Sequence, residues 1–297
     1  MRNPLFAGLL AVLMSVAAAA EEVRIDHDGL VLNASLEEAG TWPEGPVVLL
    51  VHGTLAHRQM EIIRALQGML ADRGLASLAV NLSLGIDDRA AAMYDCAAPH
   101  THRHDDAVDE IDAWVEWLRG QGVERIALLG HSRGGNQVAR YAAADPDPAV
   151  SSVILVAPQT WDAESAAADY EKRYETPLAP VLEEAESLVA AGKGGQLMGP
   201  MGFIYCEDTE ATAAAVTSYY APDPALDTPT VIPDIEVPVL VYAGTADQVV
   251  DGLVEAVEPL ADGERVRLEV LDGAGHFFRD LYSEDIADGV ADLVEGG

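Results

Sequence analysis

Positive charge is scarce in this chain: 17 lysines and arginines stand against 50 aspartates and glutamates, for a net charge of -33, and only Lys172 and Lys193 are lysines. A surface of that sign repels phosphate backbones and anionic headgroups, so nucleic acid and anionic membranes are poor partners for it. The same acid-rich, lysine-poor balance suits a protein kept hydrated in high salt, where screening relieves self-repulsion. Long apolar runs are scarce too. The stretch from Leu5 to Val16 is too short to cross a bilayer comfortably and nothing later is longer, so no membrane span is expected in the mature protein. Cysteine occurs only as Cys96 and Cys206, and internal repeats are lacking, which excludes a repeat architecture.

The first twenty residues have the layout of a secretory signal: Arg2, the apolar stretch, then Ala17-Ala18-Ala19-Ala20 before Glu21. Cleavage after Ala20 is expected, which makes the protein secreted or periplasmic and removes only one charge, Arg2. At 297 residues and 49% hydrophobic, the chain is long enough to bury one large core. Residues 21–297 read as a single domain with one insertion.

The stretch around which the rest is organised is Gly130-His131-Ser132-Arg133-Gly134-Gly135. It follows the apolar run Arg125 to Leu129 and precedes a helical stretch from Asn136 to Ala144. A strand, a G-x-S-x-G turn and a helix form a nucleophile elbow, in which small residues must flank a serine held in a strained backbone conformation. Around it, strands are expected at Val23 to Asp26 and Leu30 to Leu36 as an edge hairpin. Further strands are expected at Val47 to Val51, Ala76 to Leu82, Ser151 to Ala157, Val237 to Ala243 and Val266 to Leu271. Helices are expected at Glu61 to Arg73 and Asp105 to Arg119, where Trp114 and Trp117 read as core. The alternation implies a mostly parallel central sheet with helices on both faces. Only Gln159 to Pro233 breaks it. Helical pieces at Ala163 to Arg173, Leu178 to Ala191 and Glu210 to Tyr219 make that region a helical cap.

On these residues the chain resembles the α/β-hydrolase superfamily, through the elbow, the His52-Gly53-Thr54 loop after an earlier strand, and two later segments. Those are Gly244-Thr245-Ala246-Asp247 and Asp272-Gly273-Ala274-Gly275-His276. The resemblance implies the α/β-hydrolase fold and a catalytic set in the family's chain order, Ser132, Asp247, His276. Asp162 and Asp251 compete for the acid's place. The oxyanion donors implied are the backbone N–H groups of Arg133 and Thr54, with Leu55 as the fallback for the second. No cofactor is required.

The chemistry explains the set. A serine hydroxyl is a weak nucleophile until an imidazole accepts its proton, and a carboxylate holds that imidazole in the right tautomer. The expected activity is an exported serine hydrolase cleaving carboxylic esters of small-molecule substrates through an acyl-enzyme. The alternatives are an exported serine peptidase or amidase of aminopeptidase type, and a non-catalytic binding protein on the same scaffold. Oligomeric state is not legible.

Two further features are set apart. His100, His102 and His104 alternate in one loop and allow a transition-metal site, but they lack a clear fourth ligand, so no metal is expected; a milder reading puts the loop at the pocket mouth. Cys96 precedes the helix at Asp105 and Cys206 lies in the cap, so a Cys96–Cys206 disulfide, allowed by an oxidising compartment, would tie cap to body.

Overall fold

The computed structural model describes residues 20–296; the expected signal sequence, but for Ala20, lies outside them. The chain begins with the hairpin β1 (Glu21–His27) and β2 (Leu30–Glu37), then β3 (Val47–Val51), α1 (Glu61–Asp72), β4 (Ala76–Asn81) and α2 (Asp106–Gly120). It continues with β5 (Ile126–His131), α3 (Arg133–Ala143), β6 (Val150–Val156), α4 (Ala163–Tyr174), α5 (Leu178–Ala190), β7 (Leu197–Phe203) and β8 (Cys206–Thr212). Then come α6 (Ala213–Tyr220), α7 (Thr228–Val231), β9 (Val239–Gly244), α8 (Leu253–Val257), β10 (Val266–Leu271) and α9 (Leu281–Glu295).

Eight strands form one sheet in the order β1-β2-β4-β3-β5-β6-β9-β10. Within this sheet, among the described residues, only the β1-β2 and β2-β4 pairings are antiparallel. The central strands β3, β4 and β5 are buried along their whole length, as continuous apolar runs covered on both faces must be. β1 at one edge alternates exposed and half-buried residues. On one face α1 and α9 bury Ile62, Leu66, Leu70, Ile286 and Val290 against Leu50 and Leu129. On the other, α2 and α3 bury Ile111, Trp114, Leu118 and Val138, with Trp117 packed edge-on against Trp114. β3 has β4 on one side and β5 on the other, so the connections leave in opposite directions and open a crevice at the carboxyl ends of β3 and β5.

The sequence expectations hold closely for the sheet and less well for the insertion. α3 starts at Arg133, three residues before the expected Asn136, because Gly134 and Gly135 are helical despite their poor propensity. Close packing demands them: a Cβ on Gly134 would collide with the His52 carbonyl, and one on Gly130 with the Gly134 carbonyl. The region expected to be wholly helical contains a two-stranded antiparallel sheet, β7-β8. The segment from Glu210, expected as helix, is strand up to Thr212, whose hydroxyl caps α6 by accepting the Ala215 N–H. The alanine run favoured helix, whereas the ladder to Leu197–Phe203 and the bond at Cys206 draw the preceding residues into a strand.

Cys96 and Cys206 form a disulfide. It belongs to a clasp between residues 94–104 and the insertion. The His100 N–H donates to the Glu210 carbonyl (2.8 Å), the Thr212 N–H to the His100 carbonyl (2.9 Å) and the His104 N–H to Ser218 Oγ (2.7 Å). The bond closes a sequence separation of 110 residues. Chain entropy for so long a loop sets an upper figure of about 5 kcal/mol, and measured bridges give about 2 to 4. Replacing both cysteines with serine is therefore expected to lower unfolding free energy by about 2 to 4 kcal/mol. Limited proteolysis should then cut near the exposed Gly192–Gly195 turn before the sheet is lost; unchanged stability and cleavage would contradict this.

Candidate active site

Ser132 sits at φ 58° and ψ −123°, a left-handed conformation that a serine adopts only when its surroundings enforce it. β5 and α3 enforce it: the Ser132 N–H donates to the Val156 carbonyl (2.9 Å), and its own carbonyl accepts from Gly135 (2.9 Å) and Gln159 (3.1 Å). The side chain is thereby carried above the sheet edge, yet Ser132 is only 9% exposed because the insertion overhangs it.

His276 follows β10 and Asp247 follows β9. His276 Nε2 lies 3.1 Å from Ser132 Oγ, and His276 Nδ1 lies 2.8 Å from Asp247 Oδ2. The second Asp247 oxygen accepts the N–H groups of Val249 (2.7 Å) and Val250 (3.1 Å). Burial opposes the charged form of Asp247, but His276 and these two donors outweigh it and hold the carboxyl below its usual range. The two loops are cross-tied: the Ala246 N–H donates to the Ala274 carbonyl (2.9 Å) and Thr245 Oγ1 to Asp272 (3.0 Å). A Cβ on Gly244 would strike the Ala274 carbonyl, so glycine is required where the loops touch.

The competing carboxylates are engaged elsewhere. Asp162 caps α4 by accepting the Ser165 N–H (2.8 Å), and Asp251 accepts the N–H of its neighbour Gly252 (3.0 Å).

The loop after β3 is held from beneath. His52 Nδ1 donates to the Gly53 carbonyl (2.9 Å), while its Nε2 accepts from the Leu82 N–H (3.2 Å) and the Arg89 guanidinium (3.2 Å). Arg89 also donates to the carbonyls of Leu82 (2.7 Å) and Ala56 (2.8 Å), fixing the far side of the loop. Among the described residues neither Thr54 nor Leu55 donates its N–H to another group. Thr54 lines the cleft beside Ser132 and Arg133, and Leu55 does not. As the first residue of α3, Arg133 has no intrahelical acceptor for its N–H.

One residue inside the elbow motif has a position that sequence reading did not assign. His131 Nε2 donates to the His276 carbonyl at 2.8 Å, with the two rings 4.8 Å apart, and so pins the backbone of the loop that carries His276. Its place beside the serine was the only signal available, since its partner is 145 residues away.

The alternating histidines neither line the cleft nor gather around a common point. His100 Nδ1 faces His102 Nε2 at 3.1 Å, and His102 Nδ1 faces the Tyr219 hydroxyl at 2.8 Å. Both ring nitrogens of buried His104 lack partners. No group of three or more His, Cys, Asp or Glu able to hold a metal occurs among the described residues. The reading of this loop as lining the pocket mouth is thus corrected: pairing to β8 turns its imidazoles under the insertion.

The cleft has a volume of about 190 Å³ and runs from Ser132 and Thr54 to α4, Tyr205 and Tyr219. Among the described residues no helix is long and apolar enough to cross a membrane.

Comparison with known proteins agrees with this architecture. Solved structures with the same fold include Est1E from Butyrivibrio proteoclasticus, 19% identical over 94% of this chain and 100% of that one, with a TM-score of 0.61. The same protein with ferulic acid bound has a TM-score of 0.65 at 20% identity, over 92% of this chain and 98% of that one. The Pyrococcus furiosus esterase Pf2001 is 18% identical over 93% of this chain and 90% of that one, with a TM-score of 0.59. No curated protein matches the chain by sequence. Residues 48–293, from β3 into α9, match the alpha/beta hydrolase family, and the chain belongs to that family.

Proposed function

We propose that the chain is an exported serine hydrolase that cleaves carboxylic esters through an acyl-enzyme. The observation that carries this reading is the hydrogen-bonded line from Asp247 through His276 to Ser132, which opens into the cleft. Both spacings lie within proton-transfer reach. In this reading Ser132 Oγ attacks the ester carbonyl as His276 Nε2 takes its proton. The tetrahedral oxyanion is held by the N–H groups of Arg133 and Thr54, at the positive end of α3. His276 then passes the proton to the leaving alcohol, and water repeats the sequence to release the acid. Asp247 keeps the imidazole in the Nδ1–H tautomer and stabilises its charged form. Export is supported by the disulfide and by the composition of the first twenty residues.

A fluorophosphonate probe tests the nucleophile, since it should label Ser132 stoichiometrically; a protein that stays unlabelled contradicts the reading. Asp247→Asn tests the acid. It should lower ester turnover by about 10⁴-fold, because an amide favours the wrong tautomer. Asp162→Asn and Asp251→Asn should change turnover by less than about twofold, since neither carboxylate touches His276. A large loss in the Asp162 variant would move the acid to the loop after β6.

A further inference from the structure

The cleft beside Ser132 presents aromatic faces whose polar ends are occupied elsewhere. The Tyr170 hydroxyl donates to the Gly202 carbonyl (2.9 Å) and that of Tyr174 to the Ile204 carbonyl (2.6 Å). The Tyr220 hydroxyl accepts the Ile204 N–H (2.8 Å), and Tyr219 is engaged with His102. With these hydroxyls committed, the cleft offers ring surface to a ligand, and about 190 Å³ accommodates a substituted single ring better than a long acyl chain.

Two guanidiniums share that space. Arg133 uses one donor, Nε, on Thr54 Oγ1 at 3.1 Å, and its guanidinium carbon lies 5.0 Å from the Tyr219 ring centroid. Its two terminal amino groups make no hydrogen bond among the described residues. Arg173 reaches the cleft from α4 and lies 4.7 Å from the Tyr205 ring centroid. Neither forms an ion pair among the described residues, and although Arg64, Arg89, Arg125, Arg265 and Arg267 form none either, only Arg133 and Arg173 line the cleft beside Ser132. Asp169, one turn before Arg173, also lines the cleft but makes no ion pair with it.

In a chain with 50 acidic residues, carboxylate partners for arginine abound, so two guanidiniums without one beside the reactive serine leave cationic donors for a ligand. A planar guanidinium fork matches a carboxylate with two parallel N–H donors, and the aromatic ring beneath each holds the fork in place. An ammonium group would be repelled by both, and a neutral ester would leave them unused. We propose that the cleft selects aromatic esters bearing an ionised carboxylate on the ring, which Arg133 and Arg173 hold. This rests on the hydrolase reading above. The charge of -33 makes such a local anchor necessary, because the field of the whole surface opposes an anionic substrate.

Ethyl 4-carboxybenzoate and ethyl 4-carbamoylbenzoate test the inference, since they differ in charge, hardly differ in size and share ethanol as the leaving group. At about 0.15 M ionic strength, where long-range repulsion is damped, kcat/KM should favour the carboxylate by about tenfold or more. In the Arg133→Gln/Arg173→Gln double variant the ratio should fall to one or below. Competitive inhibition of the wild type by benzoate and by benzamide reads the same preference without a variant, and benzoate should be the tighter by a similar factor. A wild-type ratio near one, or a preference that persists in a folded double variant, overturns the inference. A protein that takes the fluorophosphonate and cleaves the neutral ester without charge preference overturns this inference alone. One that does neither removes the hydrolase reading as well.

Discussion

Ser132→Ala is expected to lower ester turnover by about 10⁶-fold while leaving the fold in place, as removal of the nucleophile does in other Ser-His-Asp hydrolases. The residual rate, about 10³-fold above water, would come from substrate binding and the two N–H donors, which do not depend on the serine hydroxyl. Stability should hardly change: the β-carbon of alanine occupies the same strained position, and the lost hydroxyl contacts only His276 Nε2. Fluorophosphonate labelling must vanish with activity. A Ser132→Ala protein that retains near wild-type turnover would refute the assignment, because no other serine lies within hydrogen-bond distance of His276 among the described residues.

Acid is expected to unfold the protein steeply, between about pH 6 and pH 4.5. Five buried imidazoles are held neutral. Burial pushes His52 and His102 down to about 3 and His100 and His131 to about 4, with nearby positive charge adding to it at His52, His102 and His131, and His104 also lies well below its ordinary value. The folded-state values lie below the unfolded value of about 6.5, so in acid the unfolded chain binds more protons. The stabilisation is therefore complete above pH 6.5 and is lost as pH falls toward 4. Each group contributes about 1.4 kcal/mol per pH unit in that window.

Glu110 acts in the opposite sense. Burial raises its carboxyl to about 7 despite the hydrogen bonds from Ser83, so the folded chain keeps a proton that the unfolded chain releases above about 4.5. One proton is cancelled, and about four remain, or at most about 5 kcal/mol per pH unit. Against a typical stability of about 5 to 15 kcal/mol, one to two pH units are enough. Urea unfolding in a pH series, run in added salt to damp the acidic surface, reads the slope directly. A midpoint that does not move between pH 7 and pH 5 would rule this out. Because His100, His102 and His104 all lie in the clasp, the insertion should loosen before the sheet, which proteolysis near Gly192–Gly195 detects.

The parts legible in advance were those whose physics is local. The runs at Val47–Val51 and Ile126–His131 declare buried strands because a strand covered on both faces has no polar side to show. Ser132, Asp247 and His276 stand out because each follows a strand in a loop of small residues. The hairpin β7-β8 was not legible. Its strands contain Gly199, Pro200 and Gly202, which weaken strand propensity, and β8 is tied by the Cys206 disulfide and the His100–Ala211 bridge to residues far away in sequence. For the same reason Glu210 to Thr212 reads as helix from its neighbours alone.

What the sequence determined by itself is the sheet and the strand-turn-helix elbow, since hydrophobic period and glycine placement act over a few residues. The sequence placed the acid at Asp247 with Asp162 and Asp251 as competitors, and only three dimensions show Asp247 hydrogen-bonded to His276. The other two are satisfied by neighbouring N–H groups. The fate of the three alternating histidines was decided there too: an alternating pattern permits convergence, but pairing of His100 to β8 turns the rings toward one another and Tyr219. The positions of His131, Arg133 and Arg173 arise from contacts between segments distant along the chain, and no local signal in the residues themselves specifies such contacts.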